Sequence, residues 1–244
     1  MKIKRYKFLG NGRYKVKIGE TDYIIYEDII IKHKILTKEE ITQKELDKYL
    51  KDNVIYEAYY KALEYIKIKL RTEKEIETYL KKHGFSNEVI EKVTDKLNKD
   101  GYLNQKVYAE AYINDQINLK TVGPLKIKQE LEKLGIEESI ITQKLENYSK
   151  EQQLEKIQKL VEKEINLNTN KSSYMLKNKI LVNLLNKGFY KDDILEVLDN
   201  IKVDDKKIYE KEYKKLYEKY SKKYSGKELE YKIKEKMYQK GFRM

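Results

Sequence analysis

The sequence predicts a mainly α-helical protein, with tandem three-helix repeats of helix-turn-helix type in an elongated array and a small N-terminal β element. Two observations predict this fold class. Apolar residues alternate at period two early in the chain and recur at the helical period of 3.6 from Thr37 onward. Four glycines, at positions 84, 135, 188 and 241, end similar amphipathic segments 51, 53 and 53 residues apart, which indicates an internal repeat.

The β element is expected over residues 1–31. The segment GNG at 10–12 is placed for a hairpin turn, and DYIIYEDIII at 22–31 is expected to form a third strand. Between them, Tyr14, Val16 and Ile18 alternate with Arg13, Lys15 and Lys17. One face of the sheet would be apolar and the other cationic. The cationic face is either a solvated surface or a contact surface for nucleic acid or an acidic protein.

The net charge of +12 is concentrated at the N-terminus. Seven of the 53 basic residues precede the first acidic residue, Glu20, so the remaining 46 basic and 41 acidic residues leave an excess of only five. More than half of the excess charge therefore lies in the first nineteen residues.

The four glycines are expected to end helices in a Schellman motif. In this motif a left-handed glycine at C′ brings the residue after it against the residue four before it. The expected pairs are Leu80 with Phe85, Leu131 with Ile136, Leu184 with Phe189, and Met237 with Phe242. The helix that ends at Gly135 would bury Ile127, Leu131 and Leu134.

Helix starts are predicted from capping patterns. Thr37 with Glu40, Thr72 with Glu75, and Ser225 with Glu228 have capping-box spacing, and Pro124 suits the first position of a helix. Longer helices are expected at about 55–69, 105–119, 150–165 and 204–223, each preceding a glycine-terminated helix. The predicted segments are residues 1–50, a basic β-rich extension with a short helix; 51–104, 105–149 and 150–203, three full repeats; and 204–244, a partial fourth repeat.

The sequence offers little support for catalysis. It has no cysteine, no GxxxxGK[ST] phosphate loop, and two histidines fifty residues apart, so we expect no cofactor and no metal. His83 is expected to be satisfied at a helix C-terminus, and acidic pairs such as Asp192-Asp193 fall at predicted helix starts. A nuclease built from scattered acids remains an alternative. The helical pairs either place a helix in a DNA groove or form a protein-binding array.

Two further groups of basic residues are candidates for phosphate contacts. They are Lys67, Lys69 and Arg71 at the end of one helix, and Lys120, Lys126 and Lys128 around the proline. Each group is otherwise a solvated face. The tyrosines from Tyr209 to Tyr224 recur at helical spacing, and they either stack on bases or pack the fourth repeat on the third.

Residues 62–138 resemble the RecX family of bacterial recombination regulators. The resemblance rests on LRTEKEI at 70–76, GYLNQKVYAEAYI at 101–113 and KTVGPLKIKQELEKLGI at 120–136, and residues 22–42 look like the N-terminal extension of longer members. Gln105 departs from the family pattern, in which an acid is usual after GYLN. Lysine also replaces much of the family's arginine, which weakens any inference about bidentate phosphate contacts.

The resemblance implies a regulator without enzymatic activity that binds filaments of RecA recombinase on DNA. Such proteins usually suppress the ATPase, co-protease and strand-exchange activities of RecA in recombination and the SOS response. The residues expected to bind the filament or DNA are Arg13, Lys15, Lys17, Lys67, Lys69, Arg71, Lys120, Lys126 and Lys128. The alternative is a protein that acts directly on duplex DNA. The chain carries no apparent export signal or membrane span, so we expect a cytoplasmic monomer that contacts single-stranded and possibly duplex DNA and no membrane.

Overall fold

The computed structural model describes residues 1–201 and 204–242, and these form three strands followed by twelve helices. The strands are β1 (Ile3–Gly10), β2 (Arg13–Ile18) and β3 (Thr21–Tyr26). The helices are α1 (Glu27–Lys32), α2 (Gln43–Ile68), α3 (Glu73–Lys82), α4 (Asn87–Lys99), α5 (Gln105–Leu119), α6 (Pro124–Lys133), α7 (Glu138–Leu145), α8 (Lys150–Leu167), α9 (Ser173–Asn186), α10 (Lys191–Asp199), α11 (Asp205–Tyr220) and α12 (Gly226–Gln239). The fold is mainly α-helical with tandem three-helix domains and a small N-terminal sheet, as predicted.

The contacts divide the chain into two compact units. One contains Met1–Tyr108 with Leu134–Ile136, and the other contains Ala109–Lys133 with the residues from Glu137 onward. The five segments expected from the sequence are a finer division and stay a prediction, and their boundary after residue 203 falls on residues outside the described ranges.

The sheet is antiparallel in the order β1-β2-β3. Asn11 and Gly12 both have positive φ, at 52° and 66°, which suits the tight turn of a two-residue hairpin. Val16, Ile18 and Ile25 are buried on one face and pack with Ile29 and Ile35 from the segment that follows. The predicted alternation of β2 and its hairpin turn are confirmed.

The predicted third strand over 22–31 is wrong in its second half. The strand ends at Tyr26, and Glu27–Lys32 forms α1. The short apolar runs YIIY at 23–26 and III at 29–31 each fit a buried strand and a buried helix equally, so periodicity does not separate them. Glu27 and Asp28 lie in the first helical turn, where carboxylates are stabilised by the helix dipole. Ile29 and Ile30, the two residues that follow them, are buried.

The helix predicted at 55–69 is part of the longer α2, which begins at Gln43, and the capping box predicted at Thr37 does not form. Thr42 caps α2: its hydroxyl accepts from the Glu45 amide, and the Glu45 carboxylate accepts from the Thr42 amide at 2.8 Å. Thr37 instead ends a short 3₁₀ turn. The second box is favoured because Ile41 before the cap and Leu46 after it belong to one buried cluster, forming a hydrophobic staple. Leu36, the corresponding residue before Thr37, is exposed.

The Schellman motifs are confirmed at three helix ends. All four repeat glycines have φ between 82° and 85°. The diagnostic amide-to-carbonyl bonds run from Phe85 to Leu80 at 3.3 Å, from Phe189 to Leu184 at 3.2 Å and from Phe242 to Met237 at 3.1 Å. Since each bond closes within six residues, these helix ends are fixed by local sequence.

Three predicted helix starts, at Thr72, Pro124 and Ser225, are confirmed, but the capping box expected at Ser225 does not form. The Thr72–Glu75 capping box forms, and Pro124 is the first residue of α6. Ser225 precedes α12, but its side chain caps no amide. The first residue of that helix, Gly226, has φ of 53°, so the chain enters α12 through a left-handed residue rather than through a capping box.

Helix starts and glycine turns meet directly in the second unit. The amides of Gly123 and Leu125, at the start of α6, donate to the carbonyls of Lys187 (2.8 Å) and Gly188 (3.0 Å), which follow α9. In the same way, the Ser172 amide at the start of α9 donates to the Lys240 carbonyl after α12 at 3.1 Å. Free amides at one helix start therefore satisfy free carbonyls at another helix end, with the two helix dipoles aligned favourably.

Buried clusters lie within the first, third and fourth groups of helices. Ile76, Leu80 and Ile90 lie in the first cluster, and Ile180, Leu184 and Ile194 occupy the corresponding positions in the third. Ile127 and Leu131 of α6 are fully buried as predicted, and Leu134 is half-buried.

The tyrosines of α11 are partly a core feature. Tyr209 and Tyr220 of α11, and Tyr224 just after it, are half-buried and pack on the cluster formed by α12. Tyr209 also lines a pocket together with Ser172 and Tyr174 at the start of α9, and the expected packing of the fourth repeat on the third stays a prediction. Tyr213 and Tyr217 are exposed.

Candidate functional site

The first group of candidate cations lies on β2. Lys7 is opposite Lys15 across the β1–β2 ladder. Like charges placed directly opposite one another on a sheet are destabilising, so the ammonium groups on this face repel one another unless an anion lies close to them. Asp22 partly does so, at 2.9 Å from the ammonium of Lys15.

The other two members of this group differ in how available they are. The ammonium of Lys17 lies 3.7 Å from a carboxylate oxygen of Glu20. Arg13 is half-buried, and its Nε has no hydrogen-bond partner among the residues that the structure describes. Lys15 and Lys17 are therefore presented on the cationic face more openly than Arg13.

The second group, at the end of α2, is divided in the same way. The Lys67 side chain is 77% exposed. Its ammonium lies 4.0 Å from a carboxylate oxygen of Glu64, which is a weak ion pair, so Lys67 is nearly free. Lys69 lies 3.6 Å from Glu75. The Arg71 side chain is only 10% exposed and donates to the same carboxylate at 3.2 Å.

Arg71 is part of a stack of side chains. Its guanidinium lies 3.6 Å from the centre of the Tyr65 ring, and Tyr65 stacks on Tyr79 with centroids 4.1 Å apart. His83 follows at 4.3 Å from Tyr79, and its Nδ1 lies 2.8 Å from the Tyr79 carbonyl, as expected for a satisfied histidine. Since Glu75 also closes the capping box of α3, Arg71 fastens the end of α2 to the start of α3.

The third group flanks the start of α6. Lys120 is exposed and Lys126 is half-exposed, and neither ammonium has an ion-pair partner within residues 1–201 and 204–242. Lys128 is held by Glu138 and lies 3.8 Å from Glu132. The hydrogen bond with Glu138 raises the pKa of Lys128. Lys120 and Lys126 are the cations of this group that are free to meet an external anion.

Sequence reasoning missed a second cluster of lysines around a groove in the second unit. Lys156, Lys159 and Lys163 of α8 and Lys187 after α9 line it together with Lys120. The spacing of three and four residues along α8 places its three lysines on one helix face, which is a signal that the sequence contained. Their convergence with Lys120 and Lys187 depends on the packing of separate helices.

The described residues hold neither a cluster of metal ligands nor a helix suited to crossing a membrane. Within residues 1–201 and 204–242, no group of three histidine or acidic side chains is arranged to hold a metal ion. None of the described helices combines the length and apolar character needed to cross a bilayer.

Comparison with known proteins identifies the family. Residues 58–97 match the model of the first RecX three-helix domain, and residues 104–145 match the second. The regulatory protein RecX of Bacillus cytotoxicus is 36% identical over 236 residues, which cover 91% of this chain and 84% of that protein. The chain belongs to the RecX family. A RecX relative from Bacillus cereus is 37% identical over 229 residues, with the same two coverages.

Solved RecX structures agree with this assignment. A crystal structure of regulatory protein RecX matches with a TM-score of 0.74 and 26% identity, over 82% of this chain and 99% of the other. RecX from Lactobacillus salivarius matches with a TM-score of 0.55 and 36% identity, over 60% of this chain and 97% of the other. The RecX fold therefore extends beyond the two domains matched by the family models.

Proposed function

We propose that the chain regulates homologous recombination by binding RecA–DNA filaments in the cytoplasm and suppressing ATP hydrolysis, co-protease activity and strand exchange. The observation that carries this proposal is the likeness, across 91% of the chain, to relatives named regulatory protein RecX. The tandem helical repeats support it because stacked repeats present extended surfaces to large partners.

The available cations support contact with a polyanionic assembly. Lys15 and Lys17 on the sheet, Lys67 after the first long helix, and Lys120 and Lys126 beside α6 are the candidate contacts with the greatest freedom. Arg71 is a weaker candidate because its guanidinium is already engaged by Tyr65 and Glu75. In our proposal the repeats bridge neighbouring recombinase subunits, so that these subunits cannot reset between cycles of ATP hydrolysis.

The alternative function is direct binding of duplex DNA. Lys126 lies in the first turn of α6, the second helix of its repeat, which is the helix that a helix-turn-helix protein places in the major groove. Binding that rests on phosphate contacts weakens steeply as salt increases, whereas filament binding with apolar contacts should persist better.

The deciding experiment measures ATP hydrolysis by preassembled RecA filaments on single-stranded DNA, titrated with substoichiometric amounts of the protein. Inhibition well below one protein per recombinase, with weak binding to naked DNA, is the expected result. Unchanged hydrolysis together with tight duplex binding would refute the proposal and favour the alternative. Cleavage of DNA that depends on a divalent cation would instead indicate a nuclease.

A matched pair of variants locates the contact surface. Lys120→Glu/Lys126→Glu is expected to weaken inhibition, since neither ammonium group is paired with an acid in the part of the chain that the structure describes. Lys211→Glu/Lys214→Glu changes the net charge by the same amount on the exposed side of α11. Equal effects of the two pairs would show that only overall charge matters.

A further inference from the structure

The lysine-lined groove of the second unit has the features of a protein-docking site. It has a volume of about 620 Å³ and lies among the end of α5, one face of α8 and the second half of α9. Of the candidate residues expected from the sequence, Lys120 alone is among the described residues that line it.

The floor of the groove is aliphatic. Leu160 and Ile117 are half-buried, and beneath them Ile180 and Leu184 belong to the core of the third repeat. Leu119 stands at the edge with 78% of its surface exposed. Water contact with a side chain of this size is unfavourable, and covering Leu119 would remove it.

The charges around this floor are largely unneutralised. Lys156 is used internally, because its ammonium donates to the carbonyls of Ile117 and Lys120 at the end of α5, and burial lowers its pKa. Lys159 pairs with Glu155. Within the described residues, Lys120, Lys163 and Lys187 have no ion-pair partner.

The one acidic side chain in the described lining of the groove is already paired with other residues. Glu164 lines the groove, but its carboxylate accepts hydrogen bonds from Lys179 at 3.0 Å and from Asn168 at 3.1 Å. The groove therefore combines an apolar floor with a rim that carries at least three uncompensated positive charges.

This combination selects one class of occupant. Single-stranded nucleic acid would bring bases that stack on aromatic rings, and the described lining contains none. An amphipathic helix buries an apolar stripe in such a groove and places its flanking side chains on the rim. We propose that the groove binds an acidic amphipathic helix of a partner protein, whose aliphatic stripe covers Leu119 and whose carboxylates pair with Lys163 and Lys187.

The proposal is tested on the full chain alone and does not depend on the proposed recombinase function. The probe is a fluorescein-labelled peptide of about 18 residues, long enough to form a helix, with leucines at i, i+3, i+4 and i+7 and glutamates elsewhere. A second peptide has the same composition with the leucines scrambled. Fluorescence anisotropy is expected to show binding of the first peptide and at least about fivefold weaker binding of the second.

Variants separate the groove from general attraction of acid to base. Leu119→Gln should weaken binding at least about fivefold, because it removes the exposed apolar side chain that the partner helix is proposed to cover. Leu167→Gln is the control, since Leu167 also ends the long helix of its repeat, is 69% exposed and does not line the groove. It should leave the affinity unchanged. Lys163→Glu/Lys187→Glu should weaken binding at least about tenfold, because it places like charges together. Lys211→Glu/Lys214→Glu should have little effect.

Several outcomes overturn the proposal. They are an absence of peptide binding, equal binding of the two peptides, and equal effects of Leu119→Gln and Leu167→Gln. The proposal is also overturned if a single-stranded oligonucleotide displaces the peptide and loses affinity in the lysine variant but not in Leu119→Gln. That result would assign the groove to phosphate. All substituted side chains are solvent-accessible, and far-UV circular dichroism checks that the variants fold.

Discussion

Gly188 lies against the start of α6, so replacing it with alanine should lower the free energy of unfolding for two separate reasons. One is strain in the left-handed backbone, and the other is overlap of the new Cβ with α6. Gly84 and Gly188 both have φ of 83° and both end a helix in a Schellman motif. A Cβ at Gly84 would have no neighbour within 4 Å, whereas a Cβ at Gly188 would lie 2.9 Å from Cα and 2.5 Å from Cβ of Lys126. A third glycine, Gly123, does not have positive φ, yet its Cβ would overlap the Gly188 carbonyl group.

These differences set the expected magnitudes. Gly84→Ala carries only the strain of the left-handed conformation, which is about 1 kcal/mol after the gain from a less flexible unfolded chain. Gly123→Ala carries only the overlap, about 1–2 kcal/mol, because the backbone must move. Gly188→Ala combines both terms, so we expect a loss of about 2–4 kcal/mol in the free energy of unfolding. Since Gly123 and Gly188 share one contact, their double variant should cost less than the sum of the single variants.

Urea unfolding followed by circular dichroism measures the free energies, and hydrogen exchange with mass spectrometry locates the change. The amides of Gly123 and Leu125 should exchange faster in Gly188→Ala and stay protected in Gly84→Ala. The reasoning is refuted if Gly188→Ala costs no more than Gly84→Ala. It is also refuted if exchange at the start of α6 is the same in both variants.

Three further predictions concern charged side chains. Lys240→Met should destabilise the protein by about 2 kcal/mol, because it removes one of the two lysines that pair with the buried carboxylate of Glu212. Adding Glu212→Leu should recover most of this loss. Thermal or urea unfolding of both variants tests the prediction. Arg71→Lys should cost about 1–2 kcal/mol, since lysine cannot both stack on Tyr65 and reach Glu75 as guanidinium does, while Lys67→Ala should change stability by less than about 0.5 kcal/mol in the same assay. Hydrogen bonds from Lys38 and from Thr42 lower the pKa of Glu45 to about 2. The stabilisation that Glu45 gives to the start of α2 is therefore present above its pKa in the unfolded chain and is lost as the pH falls toward 2. Amide exchange at the start of α2 should become faster over this range of pH, and Glu45→Gln should remove this acid-dependent change.

Local signals allowed most helix ends to be predicted from the sequence. A glycine with leucine four residues before it and phenylalanine just after it closes a Schellman motif through local hydrogen bonds. The helix ends at Gly84 and Gly188 are therefore predictable without knowledge of any partner helix. The start of α2 was less accessible because two capping boxes compete within six residues, and burial of Ile41 decides between them. The end of β3 depends on the same kind of tertiary choice, since its apolar run fits either structure.

The candidate binding residues were less predictable than the fold. Basic character is visible in the sequence, but whether a cation is free depends on neighbours that folding brings close. Arg71 looked like a phosphate ligand until Tyr65 and Glu75 were found around it. Lys163 and Lys187 were overlooked because the groove exists only when separate helices pack together.

The hydrogen bonds between glycine turns and helix starts have a consequence for how such a chain can grow. In the second unit, the same kind of backbone hydrogen bond joins the start of α6 to the end of α9 and the start of α9 to the end of α12. Each turn therefore both ends the helix of one three-helix module and binds the first residues of a helix in another module. Duplication of a whole module copies both halves of this connection at once. A lengthened protein would thus inherit a working interface, whereas an insertion of any other size would have to create a new one. Length variation among chains of this design is therefore expected to come in whole modules.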